Sequence, residues 1–102
     1  MKYNAVVRFL NKSEGGRINP PKPGYKPHMK IGEEQTSCII TPKDPDIYTM
    51  NFGIDHEVMI EFQYEEDFAS KISDRLNIGL YEGNRLIGHG CICTTQNKGA
   101  ST

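Results

Sequence analysis

The sequence has no tryptophan and only three cysteines, Cys38, Cys91 and Cys93. An odd, small number of cysteines without an apolar leader argues against a disulfide framework. No apolar run approaches the ~20 residues that a membrane helix needs. The opening MKYNAVVRFLNKSEGG is too polar and too alternating for a secretory signal. There is no excess of positive charge either: 12 Lys and Arg stand against 13 Asp and Glu. Phosphate contacts supply much of the affinity of nucleic-acid binders, so a near-neutral chain is disfavoured as one, short of a local patch. The pattern GxxxxGK[ST] is missing, which excludes a P-loop nucleotide site. No Ser/His/Asp or Cys/His set has a usable arrangement, so no catalytic residue, cofactor or membrane partner is expected. The expectation is a single cytoplasmic domain of 102 residues.

What is present is short apolar alternation broken by turn residues. Tyr3, Ala5, Val7 and Phe9 alternate with Asn4, Val6, Arg8 and Leu10, predicting a first strand with the odd positions inward. Residues 11–17 are turn chemistry. Residues 18–27 hold Pro20, Pro21, Pro23 and Pro27, which fix φ and cannot donate to a ladder. This stretch reads as a rigid crossover, or alternatively as a polyproline II ligand for an aromatic groove. Short strands are predicted over 28–33, 37–41 and 47–52. Glu57–Tyr64 predicts a strand burying Val58, Ile60, Phe62 and Tyr64. Within 65–75, Phe68 and Ile72 predict a helical turn plugging one barrel end. The acidic run Glu57, Glu61, Glu65, Glu66 and Asp67 reads as a solvated edge rather than a paired-carboxylate site.

The organising stretch is Leu76–Cys93, LNIGLYEGNRLIGHGCIC. Gly83-Asn84 tolerates the positive φ of a tight hairpin. A two-residue loop there sets Leu80 opposite Ile87, Ile78 opposite His89 and Leu76 opposite Cys91. One face is then Leu76, Ile78, Leu80, Ile87, His89, Cys91 and Cys93, predicted to be inward. The other carries Gly79, Gly88 and Gly90, read as barrel curvature or as a groove for a partner. His89, Cys91 and Cys93 form an HxCxC pattern that could hold zinc with Cys38 or His28 as fourth ligand, although inward strand residues are more often core. Several short strands without a long helix predict an all-β fold, a small closed antiparallel barrel of about six strands. The barrel spans 1–93; the tail 94–102 has nothing to bury and is expected to be disordered.

Two blocks carry a resemblance. The first is YNAVVRFLNKSEGGRINPPKPGYKPHMKI, residues 3–31; the second is LNIGLYEGNRLIGHGC, residues 76–91. Together they resemble the third, C-terminal domain of translation elongation factor Tu, which has EGGRHTP, then YRPQFYF, and near its end REGGRTVGAG. Glu14-Gly15-Gly16-Arg17, Pro20, Gly24-Tyr25 and Pro27 match in the first block. Glu82-Gly83, Arg85, Ile87, Gly88 and Gly90 match in the second. The resemblance implies a six-stranded antiparallel barrel that does no chemistry, packs on a nucleotide-binding domain and contacts the T stem of tRNA. The chain departs from the pattern in having Ile18-Asn19 for His-Thr, and Gly32-Glu33-Glu34 where the family has Arg-Thr-Thr. Two acids there would repel a phosphate backbone.

Arg17, Tyr25, Lys26, His28 and Arg85 are accordingly the candidate binding residues. They could form a basic patch with an interleaved aromatic. Alternatively Arg17 pins its own turn, Tyr25 packs at the barrel mouth and Arg85 flanks Glu82 across the hairpin. The expected function is that of a stand-alone interaction module for a protein partner such as a GTPase domain. Binding to a tRNA stem is the alternative.

Overall fold

A computed structural model describes residues 2–63, 72 and 75–95. It is a closed barrel of six strands in the order β1-β4-β3-β2-β5-β6, with every neighbouring pair antiparallel. The strands are β1 Lys2–Phe9, β2 His28–Ile31, β3 Glu34–Pro42, β4 Asp55–Phe62, β5 Leu76–Glu82 and β6 Arg85–Thr95. One 3-10 turn, Lys12–Glu14, follows β1. Closure removes the unpaired sheet edges that would invite further strands. No helix among the described residues is long and apolar enough to cross a membrane.

Alternation fixes which side of each strand is buried. In β1 the odd residues Tyr3, Ala5, Val7 and Phe9 all point into the core, as their spacing predicts. In β4 the inward set is His56, Val58, Ile60 and Phe62. These meet Met29, Cys38, Ile40, Ile78, Leu80, Ile87 and Ile92 in one apolar cluster. His56 is the polar residue of the inward set of β4. Its Nε2 lies 2.8 Å from the Asn51 carbonyl, which can only accept, so Nε2 carries the hydrogen.

Strands β1 and β2 lie three places apart in the barrel, so the chain between them has to cross a mouth. The crossing is the proline-rich segment, as a rigid connector. Pro21 is fully buried, and Tyr25 bridges to Ile40 beside β3. Three connections converge on this mouth: residues 10–27, residues 43–54 and the Gly83-Asn84 turn.

The strand expected at 47–52 is not there. Those residues are irregular backbone held by Met50, whose side chain is buried and whose N–H bonds the Pro21 carbonyl at 2.8 Å. The helical turn expected over 65–75 lies outside the described residues, apart from Ile72, half-buried against the core, and Arg75. The strand β6 runs through Thr95, and residues 96–102 lie outside the described part.

The hairpin forms with Gly83-Asn84 as its loop, but its register slips. Glu82 pairs with Arg85 and Tyr81 with Leu86, after which Leu80 pairs with Gly88 and Ile78 with Gly90. Ile87 is the extra residue of a β-bulge. A one-residue insertion transfers every later side chain to the opposite face. His89 and Cys93 are therefore exposed and Cys91 is half-buried, while Ile92 enters the core. The inward positions opposite Phe9 and Val7 become Gly88 and Gly90. A Cβ on Gly90 would lie 2.3 Å from the Val6 carbonyl oxygen, so these glycines let β6 press against β1. They are not an outer groove.

Candidate functional site

The site is built from the three connections at the crossed mouth. Asn11 opens it by capping the 3-10 turn: its side chain accepts from the Glu14 N–H, and the Glu14 carboxylate accepts from the Asn11 N–H, both at 3.0 Å. This reciprocal box satisfies two backbone donors that a short turn otherwise leaves open. Gly15 then takes φ +90°, which reverses the chain. Gly16 follows in close approach to β1. A Cβ there would lie 2.0 Å from the Leu10 carbonyl oxygen, so any side chain at this position would displace backbone. The Glu-Gly-Gly-Arg run is thus a backbone device that delivers Arg17 to a fixed place.

Arg17 serves two ends. Its Nε donates to the Asn19 carbonyl at 2.8 Å, pinning its own turn, and its Nη1 forms an ion pair with the Glu82 carboxylate of β5. Tyr25, brought in by the proline segment, donates its hydroxyl to the same Glu82 oxygen. The Arg17 guanidinium lies over the Tyr25 ring at 4.8 Å, and the ring meets Phe9 edge-on at 6.0 Å between centroids. One carboxylate therefore ties the crossover to the hairpin.

Electrostatics follow from that arrangement. Partial burial alone would push Glu82 up. The hydrogen bonds from Tyr25 and Arg17, with the charges of Arg17 and Arg85, outweigh it and hold the carboxyl below its ordinary range. Burial, followed by the neighbouring carboxylate, pushes the Tyr25 phenol up, so it stays a donor at physiological pH. Burial would lower Arg17, but its bond to Glu82 more than compensates, and it remains charged.

Of the five candidate binding residues, Arg17 and Tyr25 meet directly on Glu82, and Arg85 stands opposite Glu82 across the hairpin. Lys26 is exposed and lines a separate surface hollow with Ser37, Ile39 and Glu61. His28 is exposed at the start of β2, opposite Tyr81 and Ser37. Sequence reasoning sees Glu82 only as the neighbour of Arg85 across the hairpin and misses its partners Tyr25 and Arg17, 57 and 65 residues away in the chain. A lone acid beside a turn glycine gives no signal of such a role.

Beyond this cluster, the mouth exposes apolar side chains. Ile18, Tyr48, Ile54 and Leu86 are the large hydrophobic residues left exposed among those described, and Tyr48 is 79% accessible. All four lie on or beside the three connections. Among the described residues no three His, Cys, Asp or Glu side chains are grouped to hold a metal. The HxCxC residues instead run along the outer face of β6, with His89 and Cys93 exposed and Cys91 half-buried. No protein-family model matches the chain.

Proposed function

We propose that this barrel is a non-catalytic interaction module whose crossed mouth docks a protein partner. The observation that carries the reading is the placement of Ile18, Tyr48, Ile54 and Leu86. Each is exposed and each belongs to one end of the barrel. Singly exposed apolar residues need no explanation, but several gathered at one end mark a surface that another molecule covers. The rigidity of that end supports the same reading. Its loops are fixed by the Asn11–Glu14 box, by the Arg17–Glu82–Tyr25 cluster and by the Met50 anchor, so little ordering entropy is lost on docking.

Kinship with the third domain of elongation factor Tu is part of the proposal. Its support is that the two resembling blocks, far apart in sequence, meet at this mouth: Glu14–Arg17 and Tyr25 from one, Glu82 and Arg85 from the other. On that kinship the partner is a nucleotide-binding domain.

The test is capture of partners by the tagged full chain from lysate, with and without RNase, alongside a Tyr48→Ser, Ile54→Ser double variant. A protein that is retained after RNase by the natural sequence and lost from the variant is the expected result. Recovery of RNA alone, abolished by RNase and indifferent to the two substitutions, would replace this reading with tRNA-stem binding.

A further inference from the structure

Between the capped turn and the hairpin lies a surface hollow of about 270 Å³ lined by Lys12, Gly15, Gly16, Ile18 and Arg85. Ligand pockets for small molecules run from roughly 300 Å³ upward, so this hollow is nearer the size of one side chain and its neighbours. Gly15 and Gly16 give it only backbone, and a Cβ on Gly16 would strike the Leu10 carbonyl. One wall is Ile18, 69% exposed.

The flanks are cationic, and their counter-charges are engaged elsewhere. Lys12 and Arg85 are exposed, and neither is ion-paired among the described residues. Glu14, two residues from Lys12, is held by the Asn11 N–H. Glu82, across the hairpin from Arg85, takes the Arg17 guanidinium and the Tyr25 hydroxyl. Two cations without a salt bridge of their own, Arg85 acting on Glu82 only at longer range, therefore bracket an apolar wall.

We propose that this hollow receives an aliphatic side chain of a protein segment whose neighbouring residues are Asp or Glu, the carboxylates meeting Lys12 and Arg85. The inference rests on the interaction-module reading and names the chemistry of the docked segment. The apolar wall selects a peptide over a phosphate backbone, which would use the cations and leave Ile18 in water.

The probe is the capped peptide Gly-Ser-Asp-Glu-Leu-Asp-Glu-Ser-Gly, titrated into ¹⁵N-labelled full-length protein while amide shifts are followed. Shifts confined to Lys12, Gly15, Gly16, Ile18 and Arg85 and their neighbours are expected. Replacing the peptide's Leu by Ser should abolish them. Arg85→Glu and Lys12→Glu should each weaken binding by about fivefold or more; both positions are exposed, and retained spectra elsewhere confirm the fold. Equal response to the Leu and Ser peptides, or shifts given by a uridine decamer and not by the peptide, would overturn the inference. If a captured partner is lost with the Tyr48, Ile54 variant but kept by Arg85→Glu, the module reading survives and this one fails.

Discussion

Tyr25 and Glu82 are 57 residues apart in the chain and joined by a hydrogen bond, the phenol donating to the carboxylate that also holds Arg17. This contact fastens the proline-rich crossover to the β5–β6 hairpin, so the mouth of the barrel depends on it. Tyr25→Phe removes one donor and leaves the Arg17–Glu82 pair. It should lower unfolding stability by about 1 kcal/mol. Glu82→Ala strips both Tyr25 and Arg17 of their partner and should cost about 1–3 kcal/mol, towards the lower end because the site is partly open to water. Urea titrations of the three proteins check the order.

The same carboxylate gives a pH signature. Glu82 sits below its unfolded value in the folded protein, so the unfolded chain binds its proton more readily. Its contribution is fully present above the ordinary carboxylate pKa of about 4.3 and is lost as pH falls through the lower folded value. The stability gap between the natural sequence and Glu82→Gln should be constant from pH 7 to about 5 and shrink below about 4. Paired thermal melts across that range measure it; a gap that widened on acidification would show that Glu82 is not held ionised.

Gly90 tests the close approach of β6 to β1. An added methyl would lie 2.3 Å from the Val6 carbonyl oxygen and 2.9 Å from the Val7 Cα, both backbone atoms that cannot swing aside. Gly90→Ala should therefore destabilise by about 3 kcal/mol or more. At Gly83 a Cβ meets nothing within 4 Å, and only its φ of +63° resists substitution. Gly83→Ala should cost about 1 kcal/mol. Equal effects would mean that crowding at β1 is not what position 90 requires.

The parts of the fold that alternation governs were legible. The strands β1 and β4 each have one buried face and one wet face, and their residues follow a period of two without exception. The proline segment was legible as a crossover because four prolines permit little else. The hairpin turn was legible, but the bulge was not. Leu86, Ile87 and Gly88 are compatible with either register, so nothing local marks Ile87 as the extra residue. The candidate cluster was half legible. Arg17, Tyr25 and Arg85 stood out as cation and aromatic, yet Glu82, which unites them, is defined by contacts that only the closed barrel creates.

Residues 47–52 show how an irregular segment imitates a strand. On a strand Tyr48, Met50 and Phe52 would share one face, yet of these only Met50 is fully enclosed. Met50→Ala should cost about 2–5 kcal/mol through the cavity it leaves. Tyr48→Ala, two residues away and 79% exposed, should stay within about 0.5 kcal/mol. Guanidinium unfolding separates the two. Were 47–52 a strand with Met50 and Tyr48 on one face, the two would have to share an environment, and comparable losses would support it.

The bulge at Ile87 makes its own prediction through the thiols. Without it, Cys91 and Cys93 would point inward with Leu76 and Ile78. With it, Cys93 is exposed and Cys91 half-buried on the outer face of β6. Cys38 is enclosed in the core, 1% accessible, and burial pushes its thiol up to about 12, so almost no thiolate exists near neutrality. Iodoacetamide at pH 8 on the native protein should label Cys93 first, Cys91 more slowly and Cys38 only after denaturant is added. Peptide mapping by mass spectrometry assigns each site. Native protection of all three cysteines would return the β6 side chains after Ile87 to the opposite face and remove the bulge from the barrel.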